Sequence, residues 1–560
     1  MFPARSKSSL LLFLCAYLSA VLAYSAEYFV SPDGSDGNAG TSPDRPWKTI
    51  AKANATLQAG DTVYLRGGTY NDDPIRPSRS GTSSAPIRYA AYQGERPVLT
   101  SGKKDGLAPA IDLTGRSYII IDGVHVDGQR AWPNARVKHF AEFSNTSYSV
   151  IQNSHFQYAN GWHGVRMVEG SHHNRFLNNY VDYVGTWDDG TGQDSGDVFQ
   201  IKGGAHHNLV AGNVFRRGAH NLMQVRANYN VVRDNVFDND WSDVLGPGKG
   251  GRNLTFGGTR NLFENNIVRK SAEAVDEPDN AGMKTEGTAN IVRRNFIYSN
   301  RHEGITTEAY GGMLRIENNR IYHNTFYDNG GPAWGVWLYP SGEYIRGNVF
   351  KNNIVYSNRR IGGADLHFRL EGNPAGLMGN SLVERNLIAT RSPGDAIIEI
   401  RGGGGNVSVA RAEKDFPQNF RGNIEAVPIF VSPNPSSPED FALADGSPGI
   451  DEAAPLTYTA NAGSGKVVAL EDAGYFTDGF EIWEGDRIQI GGSGPVRIVK
   501  VDYSANTVTL ASEIQWEKGA PVTLEYYGKG PDIGAYEAKL EAPPAQRRPK
   551  APHSLTGIVR

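Results

Sequence analysis

In the stretch AGMKTEGTANIVRRN, Lys284 stands among small and apolar residues that otherwise read as a plain β-strand. The same interruption recurs along the chain. Aligned on the first inward residue, VRMV at 165, FQIK at 199, MQVR at 223, MKTE at 283, ITTE at 305 and VWLY at 336 are short strands whose alternate residues face outward. One outward column reads Arg166, Gln200, Gln224, Lys284, Thr306 and Trp337, and the next Val168, Lys202, Arg226, Glu286, Glu308 and Tyr339. Cations, amides and two aromatic rings in register make an elongated polar strip with stacking platforms. Such a strip suits a sugar chain bearing carboxylates, with Arg166, Gln200, Gln224, Glu308, Trp337 and Tyr339 as candidate substrate-binding residues. Acidic turns lie beside it: DNDWSDVL supplies Asp238, Asp240 and Asp243, and WDDGTGQDSGD supplies Asp188, Asp189, Asp194 and Asp197. Carboxylates at turns are the donors Ca2+ prefers, so an acidic turn here is a candidate calcium site, although neither has EF-hand spacing.

The elements that must position these residues are repetitive. The pattern Asn-x-(Val, Ile or Phe) occurs at Asn179, Asn213, Asn235, Asn266, Asn295, Asn324, Asn353 and Asn386, with NSHF at Asn153 read as the first of the series. Short alternating apolar runs punctuated by Gly and Asn recur about three times per step, so each step reads as one coil of a solenoid. The expected fold is all-β, a right-handed parallel β-helix. The recurring Asn is expected to be structural, bonding backbone at a turn and stacking with its copies. Trp47, Ile50, Ala51 and Leu57 fall at helical spacing and predict an N-terminal cap.

The domain reading is a β-helix with its cap over 27–454, a small β-rich insertion over 455–529 built from GDRIQIGG, PVRIVKVDY and NTVTLAS, and a return to the solenoid end over 530–537. A tail at 538–560, rich in Pro and basic residues, is expected to be disordered. Residues 1–26 carry Arg5 and Lys7, an apolar run from Leu10 and a small-x-small pattern at Ala23-Tyr24-Ser25, which predicts a secretory signal peptide. The single cysteine, Cys15, lies inside that leader, so the secreted chain would hold no disulfide. With 66 glycines in 560 residues and a formal net charge of −4, the chain is turn-rich and has no electrostatic footprint for nucleic acid or membrane. A monomer is expected.

Two segments resemble known families. YFVSPDGSDGNAGTSPDRPWKTIAKA followed by AGDTVYLRGGTY is similar to the N-terminal segment of secreted β-helical polysaccharide lyases, and NDWSDVL followed by NAGMKTEGTANIVRRN resembles family 9 pectate lyases. The resemblance runs roughly from residue 27 to 300. It implies that Lys284, in a Gly-apolar-Lys tripeptide, is a catalytic base, and that Asp240 and Asp243, with Asp238, bind Ca2+. DND stands where that family has a paired Asp-Asp. The implied reaction is β-elimination from a uronate polymer, in which a base removes the C5 proton and the 4-linked sugar leaves. Ca2+ or Arg and Lys must neutralise the carboxylate, and the base must be neutral, so a lysine's ordinary value of about 10.4 must fall. Arg226 and Lys202 are the cations expected beside Lys284.

Two other readings stay open. QDSGDVFQIKGG followed by GAHNLMQV resembles the order of polygalacturonases, with Asp194 and Asp197 as acid and base and His220 nearby. Inverting hydrolysis of that kind needs carboxyls roughly 6.5–9.5 Å apart. A non-catalytic carbohydrate-binding solenoid would need neither. A lyase leaves a C4–C5 double bond in its product, a hydrolase leaves reducing ends alone, and a binder leaves neither.

Overall fold

The computed structural model describes residues 25–129, 134–185, 196–240, 251–271, 281–309, 315–338, 345–358, 366–371, 380–389, 394–401 and 405–537. Three long sheets run along one axis, with 14, 13 and 12 strands among the described residues. Each coil gives one strand to each sheet, and successive coils pair in parallel, as in Val231–Arg233, Leu262–Glu264 and Ile291–Arg293 of the first sheet. This is a parallel β-helix.

Alternation explains the filling. In the third sheet Val165, Phe199, Met223, Leu254, Met283 and Ile305 stand in register with side chains inward, and all are fully buried. Phe176, Phe215, Phe237 and Phe263 run through the centre with neighbouring ring centroids 5.2–6.3 Å apart. One coil's residue touches its counterpart in the next, so the core is a set of columns with no single centre.

Asparagine ladders tie the turns together. The backbone N–H groups of Asn266, Asn295 and Asn324 each donate to the side-chain oxygen of the next ladder residue, Asn295, Asn324 and Asn353, at 2.8–3.0 Å. The side-chain amides donate to the same oxygens at 2.9–3.1 Å, and to backbone carbonyls such as Val232 and Phe263. The expected Asn column is therefore present. A second one runs through Asn208, Asn230, Asn261, Asn290 and Asn319. One member of the series is corrected: the ladder position is Ser154, whose N–H donates to Asn179 at 2.9 Å, while Asn153 precedes it in a left-handed conformation at φ 52°.

Helices cover both core ends. Ile50–Thr56 is capped by Thr49, whose hydroxyl accepts from Lys52 N–H, and it buries Ile50 and Ala53 against the first coils. The inward residue is Ala53, with Ala51 exposed, because Trp47 lies before the helix and pairs with Val30 as a bridge. At the far end Val409–Asp415, which the sequence reading did not anticipate, buries Val409 and Ala412 beside Phe420.

A six-stranded antiparallel sheet, from Thr457–Tyr458 to Pro521–Leu524, docks on the outside of the first sheet. Its apolar residues share one cluster with Leu209, Val231, Leu262 and Ile291. Within this contact Arg293 donates to both oxygens of Asp486 at 2.8 and 2.5 Å and to Glu264 at 3.0 Å, while Tyr322 donates its hydroxyl to the Tyr475 carbonyl at 2.6 Å. Burial alone would raise the Glu264 carboxyl, but Arg293, Arg233 and Arg294 hold it down to about 2. The first sheet is thereby covered, and the outer face of the third sheet carries the polar strip.

Removing Arg293 takes a bidentate partner from the buried Asp486 and leaves Glu264 only the more distant Arg233 and Arg294. Arg293→Ala is expected to cost roughly 3–5 kcal/mol, read as a lowered melting temperature and faster proteolysis between the docked sheet and the solenoid. Glu264 titrates far below its unfolded value of about 4.3. Its contribution is complete above that value and is lost as pH falls through about 2. The wild type should therefore lose melting temperature over that acid range, and Glu264→Gln should flatten the loss.

Candidate functional site

Strand pairing fixes which outward residues are neighbours. The first column runs Glu142, Arg166, Gln200, Gln224, Thr255, Lys284 and Thr306. The coil Arg252–Phe256 contributes Thr255, which the sequence alignment skipped because that strand shows no charge at this position. Trp337 is corrected by two residues: Gly335 pairs with Thr306, and Trp337 pairs with Glu308 in the second column. Glu308 and Trp337 lie on described strands, and Tyr339 lies outside the described residues.

The N-terminal part of this face opens into a cleft of about 630 Å³. Lys138, Arg166, Lys202, Gln200 and Gln224 line it together with His220 and Trp162. Trp162 is 71% exposed and offers a flat apolar ring. Sequence reasoning missed Trp162, Lys138, His139 and His163; the signal was GWHG, an aromatic pair between glycines just before a strand of the strip. His139 and His163 stack at 4.0 Å, and burial lowers both, His163 to about 3, so they stand neutral. Arg166 pairs with Glu142 at 2.5 Å. Burial pushes the Glu142 carboxyl up despite that partner.

Lys202 is half-buried, and its ammonium donates to the Gln224 side-chain oxygen at 3.4 Å. Burial lowers its pKa; Asp197 opposes this, and Arg226 and Arg166 reinforce it. Among the described residues Lys202 makes no ion pair. Lys284 has different surroundings. The sequence places it as an exposed strand residue, but it is only 7% exposed, with Glu286 3.6 Å from its ammonium. It stands two rungs beyond Gln224, with Thr255 between. Arg226 reaches across two coils to grip Glu286 at 3.1 and 3.2 Å. The intervening rung is Gly257, where a Cβ would lie 3.0 Å from that of Glu286.

Asp197 is buried and accepts from His220 Nδ1 at 2.9 Å, Asn221 Nδ2 at 2.8 Å and Gln200 Nε2 at 2.6 Å. Burial would raise its pKa, but the hydrogen bonds, His220 first, hold it below the usual value. It is a fixed carboxylate with its oxygens occupied. That does not suit a general acid, as the hydrolase reading requires, and Asp188, Asp189 and Asp194 lie outside the described residues.

Two of the calcium candidates, Asp238 and Asp240, are held by cations. Asp238 is 5% exposed and takes two bonds from Arg269, at 2.9 and 2.8 Å. Asp240 pairs with Lys270 at 2.8 Å, and Asp243 lies outside the described residues. Among the described residues no three acidic or histidine groups converge as a metal cradle. Two carboxylates already neutralised by cations do not fit Ca2+, so no step below passes through it.

Comparison with known proteins follows this geometry. A pectate lyase, PEL9, of Emericella nidulans is 28% identical over 337 residues, which span 55% of this chain and 76% of that protein. An uncharacterised protein of Bacillus subtilis, YwoF, is 36% identical over 102 residues, 18% of this chain and 21% of that one. The crystal structure of pectate lyase Pel9A superposes with a TM-score of 0.48 at 15% identity, covering 92% of this chain and 96% of that one. The family model of the Pel9A-like right-handed β-helix region matches residues 28–336. The chain belongs to this family. The match takes in the cleft, Lys202 and Lys284, and stops before the docked antiparallel sheet.

The lysine in the cleft offers a direct test. Arg226→Gln removes one of the charges that lower Lys202, so the pH at which Lys202 becomes reactive toward an amine-directed reagent should rise toward the ordinary lysine value. Peptide mapping of labelled protein across a pH series measures it.

Proposed function

We propose that this protein is a polysaccharide lyase that cleaves a uronate polymer by β-elimination in the cation-lined cleft, with Lys202 as the base. One observation carries the reading: Lys202 is a half-buried amine of lowered pKa, placed among cations and without an ion pair among the described residues. Membership of the Pel9A-like family and the likeness to a protein named pectate lyase support the acidic substrate and the reaction class. Arg166, Arg226 and Lys138 are the groups that would neutralise the substrate carboxylate and so acidify the C5 proton. The Lys202 lone pair takes that proton, the C5–H electrons form the C4–C5 double bond, and the C4–O4 bond breaks toward the departing sugar. Trp162 would stack on one sugar ring. The leader at residues 1–26 goes with secretion.

This reading moves the base from Lys284 to Lys202. Lys284, held beside Glu286, acts in it through the ion pairs that fix Arg226. Lys202→Ala should lose ~10²- to 10⁴-fold in turnover on a uronate polymer the wild type eliminates. Lys202→Arg should fail as well, since a guanidinium keeps its proton. The rate should rise with pH through the lowered Lys202 value, because only the neutral amine accepts the proton. Near-normal unsaturated product from Lys202→Ala, with Lys284→Ala inactive but folded, would return the role to Lys284.

Neutralisation by Arg and Lys also predicts that exhaustive chelation leaves most of the rate. A rate abolished by chelator and restored by Ca2+ alone would assign neutralisation to a metal.

A further inference from the structure

β-Elimination needs a second proton event, since an alkoxide on the departing sugar is a poor leaving group. We propose that His220, held by Asp197, delivers the proton to the departing glycosidic oxygen. The proposal rests on the lyase reading and adds the residue that completes its chemistry.

The geometry is that of an oriented imidazole. His220 lines the cleft with its side chain 43% exposed, while its Nδ1 is fixed against the buried Asp197 at 2.9 Å. Asp197 only accepts, so its bond to His220 needs the hydrogen on Nδ1; Asn221 Nδ2 lies 2.7 Å from the same Nδ1, so both of these partners hold Nδ1 and Nε2 is the nitrogen left for a second partner. The neighbours settle the orientation. Thr255 donates its hydroxyl to the Asn221 side-chain oxygen at 3.2 Å, which turns the Asn221 amide toward Asp197 at 2.8 Å, and Gln200 holds the other Asp197 oxygen at 2.6 Å.

The backbone leaves room beside the ring. Asp197 N–H bonds Trp162 O and His220 N–H bonds Gly196 O, so Trp162, Gly196 and His220 occupy one position on three successive coils. The middle rung has no side chain: Gly196 sits at φ 135°, and a Cβ there would meet the Gly185 backbone at 2.3 Å. The indole and the imidazole are thus walls about two rungs, ~9.6 Å, apart, over a bare floor where a sugar ring fits. The ionisable groups around His220 are Asp197 beneath it and Lys202 beyond the end of the strand Asp197–Ile201, both on the preceding coil, Arg166 and His163 two coils back, Lys138 three coils back and Arg252 on the following coil. His163 and His139 are held neutral by burial, which leaves His220 as the cleft imidazole placed to donate.

The step balances without a further reactant. Lys202 takes the C5 proton, the C4–O4 bond breaks as the double bond forms, and Nε2–H of the His220 imidazolium protonates O4. Solvent then removes the proton from Lys202 and restores that on His220.

The experiment separates the acid from the base by leaving group. Oligogalacturonate is compared with a 4-deoxy-4-fluoro galacturonide, from which fluoride departs without a proton; unsaturated product and fluoride are the readouts, and circular dichroism checks the fold. His220→Gln should lose ~10²- to 10⁴-fold on the oligosaccharide and stay within about tenfold of wild type on the fluoride. Asp197→Asn should show the same selective loss to a smaller degree, while Lys202→Ala should fail on both substrates. Equal losses of His220→Gln on the two substrates, or no loss on either, overturn the role of His220 and leave the lyase reading standing. A wild type that releases neither unsaturated product nor fluoride overturns both.

Discussion

Parallel stacking is the constraint on which the rest depends. Each strand hydrogen-bonds to its copy on the next coil, so equivalent residues stand about 4.8 Å apart in a column, and whatever occupies a position meets its counterpart immediately. Inward columns pay no penalty for likeness, which is why Phe176, Phe215, Phe237 and Phe263 follow one another. At the turns a column needs a residue able both to give and to receive, and the asparagine amide does this in one side chain. Outward columns of charge have less freedom: like charges at one rung spacing repel, so most cations stand beside amides, glycines or acids, and where Lys202 and Arg226 occupy adjacent rungs, burial and this repulsion together lower the lysine's pKa.

The fold was legible because it is periodic. Asn266, Asn295, Asn324 and Asn353 recur at steps of 29 residues and each bonds the next, so spacing in the chain translated directly into spacing in the structure. It failed where a coil hides its signature. Ser154 does the ladder's work with a hydroxyl, and the coil around Thr255 presents no charge, so the alignment passed from Gln224 to Lys284 as though they were adjacent. Trp337 slipped by two residues because VWLY was matched on valine, whereas pairing begins at Trp334 against Ile305. Because alternation has period two, that slip kept the position's parity but moved it to the other column.

The site was only half legible for a related reason. Strand patterns reveal residues that sit on strands, and Arg166, Gln200, Gln224 and Lys202 came out of the pattern. The cleft also needs residues at the turn where the second sheet hands the chain to the third: Lys138, His139 and Trp162 obey no alternation there, and His163 opens the strand His163–Val168. Their proximity depends on coil lengths: Asp197 meets His220 beside its register partner Asn221 because that coil closes in 24 residues, whereas the coil before it, from His163 to Asp197, takes 34. Burial was equally invisible, since a lysine on an alternating strand reads as exposed until the surrounding chain is placed.

Charge along the strip argues for where an anionic chain would lie. Toward the N-terminal end Glu142 is gripped by Arg166, and toward the C-terminal end Glu286 is gripped by Arg226 and Glu303 by Arg369. Each of these acids has its cation, so neither end presents an anion with an unpaired carboxylate to repel it. Between them, among the described residues, the outward positions are Gln200, Gln224, Thr255, Lys202 and Gly257, with Lys138 alongside and Asp197 beneath, its oxygens occupied. The middle of the face is therefore cationic by subtraction: its acids are withdrawn to the ends or turned into the wall. The same arrangement bears on Lys202, because an amine loses its proton most readily where neighbouring cations are kept and neighbouring carboxylates are already engaged. Holding Glu286 on Arg226 across the bare Gly257 rung keeps that carboxylate on the far side of the guanidinium, so one glycine shapes both the attraction for substrate and the basicity of the lysine that meets it.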